Sequence, residues 1–151
     1  MLPWRIFFLA LTEKSSSDLF SLMKRAITAH NSYAKMAVAG LGVDRHMQGL
    51  RKIAIENGYE LHDLFSDTGY LRSSRMRIST SQSPGKATTF GSGGPLESDG
   101  YGCYYNPRAE DILFTCSALT SCQYTSASAF RAALEQSMLE MRSLVRENVQ
   151  N

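Results

Sequence analysis

Apolar positions along this chain change period twice, from helical to extended and back. Over residues 15–40, Leu19, Met23, Ala26 and Ile27 fall on one helical face, with Ser16 or Ser17 placed as the cap. Gly40 and Gly42 end that pattern, since glycine readily terminates a helix. A second helix is predicted from Asp44 through Ile55, with Met47, Leu50, Ile53 and Ala54 inward and "ENGY" as its stop. "ELHDLFSD" reads as a short turn or helix. The period then drops to two. Arg75–Thr80 and Tyr101–Tyr105 read as strands, the second closed by the turn signal Asn106-Pro107. In "DILFTCSAL", Ile112, Phe114, Cys116 and Ala118 alternate with Leu113, Thr115, Ser117 and Leu119. Neither set is charged, which predicts a central strand covered on both sides.

The helical period returns from Ser126, through Phe130, Ala133, Leu134, Met138, Met141, Leu144 and Val145. Arg142 and Arg146 stand near its C-terminal end, where cations suit the helix dipole. This predicts an amphipathic helix on the sheet. The order helix, helix, strand, glycine loop, strand, strand, helix specifies a mixed α/β or an α+β layer. A sheet of three or four short strands leaves open edges. At the N-terminus, the apolar run Ile6–Leu11 is too short to span a bilayer, which needs about 20 apolar residues. Arg5 followed by that run imitates the start of a signal peptide, but without a good cleavage signal; a buried strand is the better reading.

Composition narrows the class. The 151 residues fit one compact domain, and 43% hydrophobic with 20% charged residues is globular rather than disordered. A net charge of +2 gives no electrostatic case for nucleic acid. Cys103, Cys116 and Cys122 are an odd set without CxxC spacing and read as reduced thiols of an intracellular protein.

Candidate chemistry is sparse by spacing alone. His30, His46 and His62 pair with no serine or cysteine signature, and no zinc spacing is present. "FGSGGP" matches neither phosphate-loop pattern; its glycines say only that a backbone or a ligand approaches closely. Arg72, Arg75 and Arg77, with Tyr70 beside them, read as a solvated face. Ser79-Thr80-Ser81-Gln82 is the exception, a polar cluster at the end of a strand. Ser79 and Ser81 would share one face, with Thr80 on the other. Hydroxyls there either cap their own backbone or donate to a developing oxyanion.

Several longer stretches decide between those options. "ISTSQSP", then "DGYGCYYNP", "ILFTCSALTSCQYTSASAF" and "LEMRSL" resemble the C-terminal part of the choline/carnitine O-acyltransferases. Upstream, "AITAHNSYAKMAVAGLGVDRHMQGL" resembles the helix pair of the same family. The resemblance runs in order over residues 20–146. It implies residues 15–151 are the C-terminal segment of a two-layer, coenzyme A-dependent acyltransferase domain, with residues 1–14 unmatched. It further implies acyl transfer between coenzyme A and carnitine or choline. Acyl-coenzyme A would be a co-substrate rather than a resident cofactor, and no metal is implied. "DRH" at Asp44–His46 leans toward the carnitine enzymes.

By the same resemblance Ser81 stabilises the tetrahedral oxyanion, and Ser79, Thr80 and Ser81 shape the carnitine or choline pocket. Gln82 meets the pantetheine arm of coenzyme A. Gly91, Gly93 and Leu96 border the acyl pocket, where long-chain members of the family also carry glycine and short-chain ones a bulky residue. The aromatic ring expected near the trimethylammonium is replaced by Gly93. The general-base histidine and the coenzyme-binding lysines of the family lie upstream of the matched region. The expected partners are therefore small-molecule substrates and the remainder of the acyltransferase fold, with no nucleic acid and no transmembrane span. The implied compartment is a mitochondrion or peroxisome, an address this N-terminus does not spell. The alternative is a non-catalytic remnant or binding module that keeps part of the fold.

Overall fold

A computed structural model of the chain describes residues 15–82 and 90–149. The Ile6–Leu11 strand predicted above lies outside them. The elements run α1 (Ser16–Val38), α2 (Val43–Glu56), a 3-10 turn (Asp63–Phe65), α3 (Thr68–Ser73), β1 (Ile78–Gln82), β2 (Tyr101–Pro107), β3 (Ile112–Ser117) and α4 (Ala127–Val149). The fold is mixed α/β, as the sequence pattern requires. Where length alone suggests one domain, the described residues group into two compact units. One takes those up to His62 and from Ser137 onward; the other is Asp63–Gln136.

In the first unit, α1 is capped by Ser15, one residue before Ser16 and two before Ser17, the predicted caps. The Ser15 hydroxyl accepts from the Asp18 amide at 3.4 Å, satisfying one donor the helix start leaves open. Met23 is buried, and Leu19 and Ala26 are half-buried, as the stripe predicts. Ile27 is the departure, 52% exposed. In α2, Met47 and Ala54 are half-buried, whereas Leu50 and Ile53, expected inward, are exposed. An amphipathic stripe buries its residues only where a second surface meets it, and here the stripe is wider than what meets it. Both helix ends use left-handed glycines, Gly40 at φ 79° and Gly58 at φ 67°. The last turns of α4 meet the start of α1: Ser16 donates to Glu147 at 2.8 Å, and Asn148 donates to the Ser16 hydroxyl at 3.0 Å.

The second unit holds the sheet, in the order β1-β2-β3. β1 pairs with β2 in parallel and β2 with β3 antiparallel. β2, not β3, is therefore the central strand among the described residues. The uncharged alternation of β3 fits an inner strand, but pairing order is not encoded in one strand's pattern. Burial follows the pairing: Gly102, Cys103 and Asn106 of β2 are buried, while Ile112 and Leu113 of β3 are exposed. β1 begins three residues later than predicted and takes in the whole of Ser79–Gln82. β2 likewise runs through Asn106 and Pro107 instead of turning there. Proline is tolerated at a strand end, and the turn falls on Arg108–Asp111. There the Arg108 amide donates to the Asp111 carbonyl at 2.8 Å, and its guanidinium grips the Asp111 carboxylate at 2.7 Å. The short helix α3, too short to show a helical stripe in the sequence, is capped by Asp67, which accepts from the Tyr70 amide at 3.0 Å. Tyr101 of β2 stacks on Phe130 of α4, ring centroids 4.6 Å apart, so the first turns of α4 lie on one sheet face.

Candidate functional site

The register sorts the polar cluster. Ser79 aligns with Gly102, Thr80 with Cys103, and Ser81 with Tyr104. β3 continues each row, Ser117 opposite Gly102, Cys116 opposite Cys103, and Thr115 opposite Tyr104. Aligned residues project to the same side of a sheet and neighbours along a strand to opposite sides. Ser79, Ser81, Tyr104, Thr115, Ser117 and Asn106 thus share one face. Thr80, Cys103 and Cys116 lie on the other, the face that carries Tyr101 and Phe130. The structure brings Ser79 and Ser81 together and sets Thr80 apart from them. Gln82 aligns with Tyr105 on the Thr80 face.

The glycine loop is fitted to the polar face. Ser117 donates to the Gly93 carbonyl at 2.7 Å. A Cβ on Gly102 would stand 2.7 Å from that carbonyl oxygen and 3.1 Å from the Gly94 carbonyl carbon. Gly102 is therefore required by the loop that crosses it. A Cβ on Gly93 would overlap the Tyr104 phenol, so the Tyr104 ring holds the space that the missing side chain leaves. At these two glycines the chain itself makes a close approach. Gly94 faces open space, and Leu96 is largely exposed. Asn106 is buried at 5% exposure, and the Thr115 hydroxyl is buried without a hydrogen-bond partner among the described residues. Ser79 is half-buried; Ser81 is exposed and, among the described residues, donates only to the adjacent Gln82 carbonyl, at 3.4 Å.

Charged residues brace the entry to β1. Arg75 donates to Glu97 at 3.1 Å and to Asp99 at 2.9 Å, and Arg77 pairs with Asp99 at 3.2 Å. The Arg77 carbonyl accepts from the Tyr101 amide at 2.7 Å. Arg75 and Arg77 are thus neutralised by the loop before β2 rather than standing as a basic face. All are partly exposed, so each pair is worth at most about 1 kcal/mol and serves mainly to fix register. His30, His46 and His62 are exposed and belong to the other unit. Among the described residues no three His, Cys, Asp or Glu side chains gather as metal ligands would, and no helix is long and apolar enough to cross a membrane.

Sequence reasoning missed Tyr104, Asn106, Thr115 and Ser117 as members of this face. Alternation within "YGCYYNP" and "ILFTCS" carries half of the signal. The other half, which rows meet, exists only once the strands pair.

Comparison with known proteins identifies the family. The family model for choline/carnitine O-acyltransferases matches residues 5–136. Choline O-acetyltransferase of Sus scrofa is 41% identical over 142 residues, covering 91% of this chain and 22% of that protein. Carnitine O-acetyltransferase of Columba livia is 41% identical over 133 residues, covering 88% and 21%. The human choline O-acetyltransferase is 42% identical over 129 residues, covering 85% and 17%. The chain spans about a fifth of the length of these relatives. It belongs to the choline/carnitine O-acyltransferase family.

Proposed function

We propose that this chain is the oxyanion-side segment of an acyltransferase that moves an acyl group between coenzyme A and carnitine or choline. The observation that carries the reading is the row of hydroxyls from Ser79, Ser81, Tyr104, Thr115 and Ser117 on one sheet face. The buried Thr115 hydroxyl in that row lacks a partner among the described residues. A buried polar group without a partner costs roughly 1–3 kcal/mol, which a ligand or neighbouring segment would relieve. Among the described residues the Ser81 hydroxyl makes only the long 3.4 Å bond to the Gln82 carbonyl, and it lies toward the end of β1. Its hydroxyl is the donor for the tetrahedral oxyanion, and Ser79 beside it contacts the acceptor substrate. Gln82 meets the pantetheine arm of coenzyme A.

Proton removal from the acceptor hydroxyl needs a general base within about 3 Å of it. The exposed His30, His46 and His62 of this chain do not supply it; the base comes from the part of the fold that lies outside the matched fifth of the relatives. That same part covers the β1 edge, which is open among the described residues and where Ile78 is 55% exposed. The compartment is a mitochondrion or peroxisome, to be tested by following a fluorescent fusion.

The test is a chimera. This chain replaces the matching segment of the Columba livia carnitine O-acetyltransferase, and coenzyme A release is followed with carnitine and with choline. Turnover by the chimera is expected, and none by the 151-residue chain alone. A folded chimera that binds coenzyme A but never turns over would instead identify the segment as a non-catalytic remnant.

A further inference from the structure

We propose that Cys103 and Cys116 form a dithiol site that closes reversibly to a cross-strand disulfide. The two are direct partners on the β2–β3 ladder, on the sheet face opposite Ser79 and Ser81. Directly opposed residues of an antiparallel pair stand about 4.5 or 5.5 Å apart between Cα atoms, and disulfides span about 4.4–6.8 Å. Both kinds of ladder position therefore fall within reach without a change of register. Their Cβ atoms, at about 4.5–5.5 Å in such pairs, must draw in to about 3.5–4.5 Å. That closure strains the bond, and a strained disulfide is readily reduced again.

The surroundings assign an order to the two sulfurs. Cys103 is 5% exposed and Cys116 half-buried, so an external reagent meets Cys116 first. Burial, then the charge and the hydrogen bond of Cys116, push the Cys103 thiol up to about 11 and keep it protonated until its partner has reacted.

The oxidant is a small aliphatic disulfide. The Cys116 thiolate attacks one of its sulfurs, forming a mixed disulfide and releasing one small thiolate. The Cys103 sulfur, losing its proton to water as it reacts, then attacks the Cys116 sulfur and expels the second. Two protein thiols give up two protons and two electrons, and one small disulfide becomes two thiols. Cys122 lies off the ladder. Hydrogen bonds from the Thr125 side chain and the Tyr124 backbone lower its pKa, which makes it the competing thiol.

The experiment uses the whole chain carrying Cys122→Ser, titrated with oxidised glutathione and read by intact mass and tryptic mapping. Loss of two hydrogens with no retained glutathione is expected, with the Cys103 and Cys116 peptides linked across the Arg108 cleavage and freed by dithiothreitol. Cys103→Ser in that background should hold one glutathione on Cys116. Formation in the native chain should be at least about ten-fold faster than in urea, because the ladder raises the effective concentration of one thiol at the other. The unsubstituted chain, with fragmentation separating Cys116 from Cys122, gives the same reading should the variants misfold. Glutathione retained without a link, a Cys103–Cys122 link, or equal rates in urea would each overturn the proposal.

Discussion

Ser117 and Gly93 are joined by a 2.7 Å hydrogen bond that passes over Gly102, a residue with no side chain to obstruct it. The contact ties the glycine loop to β3 on the face where Ser79 and Ser81 lie. It makes three glycines in one short stretch separable by experiment.

Gly102→Ala sets a methyl against backbone, the Gly93 carbonyl and the Gly94 carbonyl carbon, neither of which can rotate away. Destabilisation of about 1–3 kcal/mol is expected, together with loosening of the loop. Gly93→Ala meets the end of the Tyr104 ring, which can swing, and should cost less. Gly94→Ala meets nothing within 4 Å and should leave the ladder unchanged. Amide exchange of the β2–β3 ladder measures all three. Equal effects at Gly94 and Gly102 would remove the packing argument.

The isolated chain should melt without sharp cooperativity and associate with itself. Leu41, Ile53, Ile78 and Tyr124 are all more than half exposed. Apolar surface left bare in a stable monomer is usually less extensive than this. Urea titration and sedimentation at several concentrations are the measurements. A single steep transition from a monomer would show that the chain needs no further partner.

Alkaline pH should weaken the ladder around Cys103. Its thiol is raised from 9.0 to about 11, first by burial, then by the charge and hydrogen bond of Cys116. Between those values the unfolded chain has lost a proton that the folded chain keeps. Stability from this group is therefore complete below pH 9 and declines as pH rises toward 11. The loss is of order 1–3 kcal/mol. Exchange protection of β2 followed from pH 8 to 10, against Cys103→Ala, isolates the contribution of this thiol. An unchanged slope in the variant would mean that Cys103 contributes nothing.

In a chimera that turns over, Ser81→Ala should lower kcat by roughly 10²–10³, the usual loss for one oxyanion donor. Thr80→Val should do far less to kcat, because Thr80 shares its row with Cys103 on the opposite face. Comparable losses from the two would mean that the face assignment does not carry the chemistry.

Acyl-chain preference tests the loop in the same chimera. If Gly91 leaves room for the acyl tail, each further methylene buried there adds about 0.8 kcal/mol. Octanoyl-coenzyme A should then gain over acetyl-coenzyme A in kcat/KM, and Gly91→Met should reverse the gain. A preference for acetyl in the parent chimera would close that pocket and leave Leu96 or another part of the fold as its wall.

Periodicity by itself determined the kind and order of the major elements. The stripe of Leu19 and Met23, the alternation in "DILFTCSAL" and the long stripe from Phe130 are local, and local spacing is enough to choose helix or strand. Quoted motifs in sequence order were enough to indicate the family. Tertiary structure decided the rest. It placed β2 at the centre, since hydrogen-bonded neighbours are chosen between strands and not within one. It extended β1 through Gln82 and moved the turn from Asn106-Pro107 to Arg108–Asp111, because a ladder partner and a carboxylate grip outweigh a turn propensity. It left Leu50 and Ile53 exposed despite a correct helical stripe, because burial needs a second surface. And it joined Ser79 and Ser81 to Tyr104, Thr115 and Ser117, and Cys103 to Cys116. Those are contacts between residues far apart in the chain, which only strand register creates.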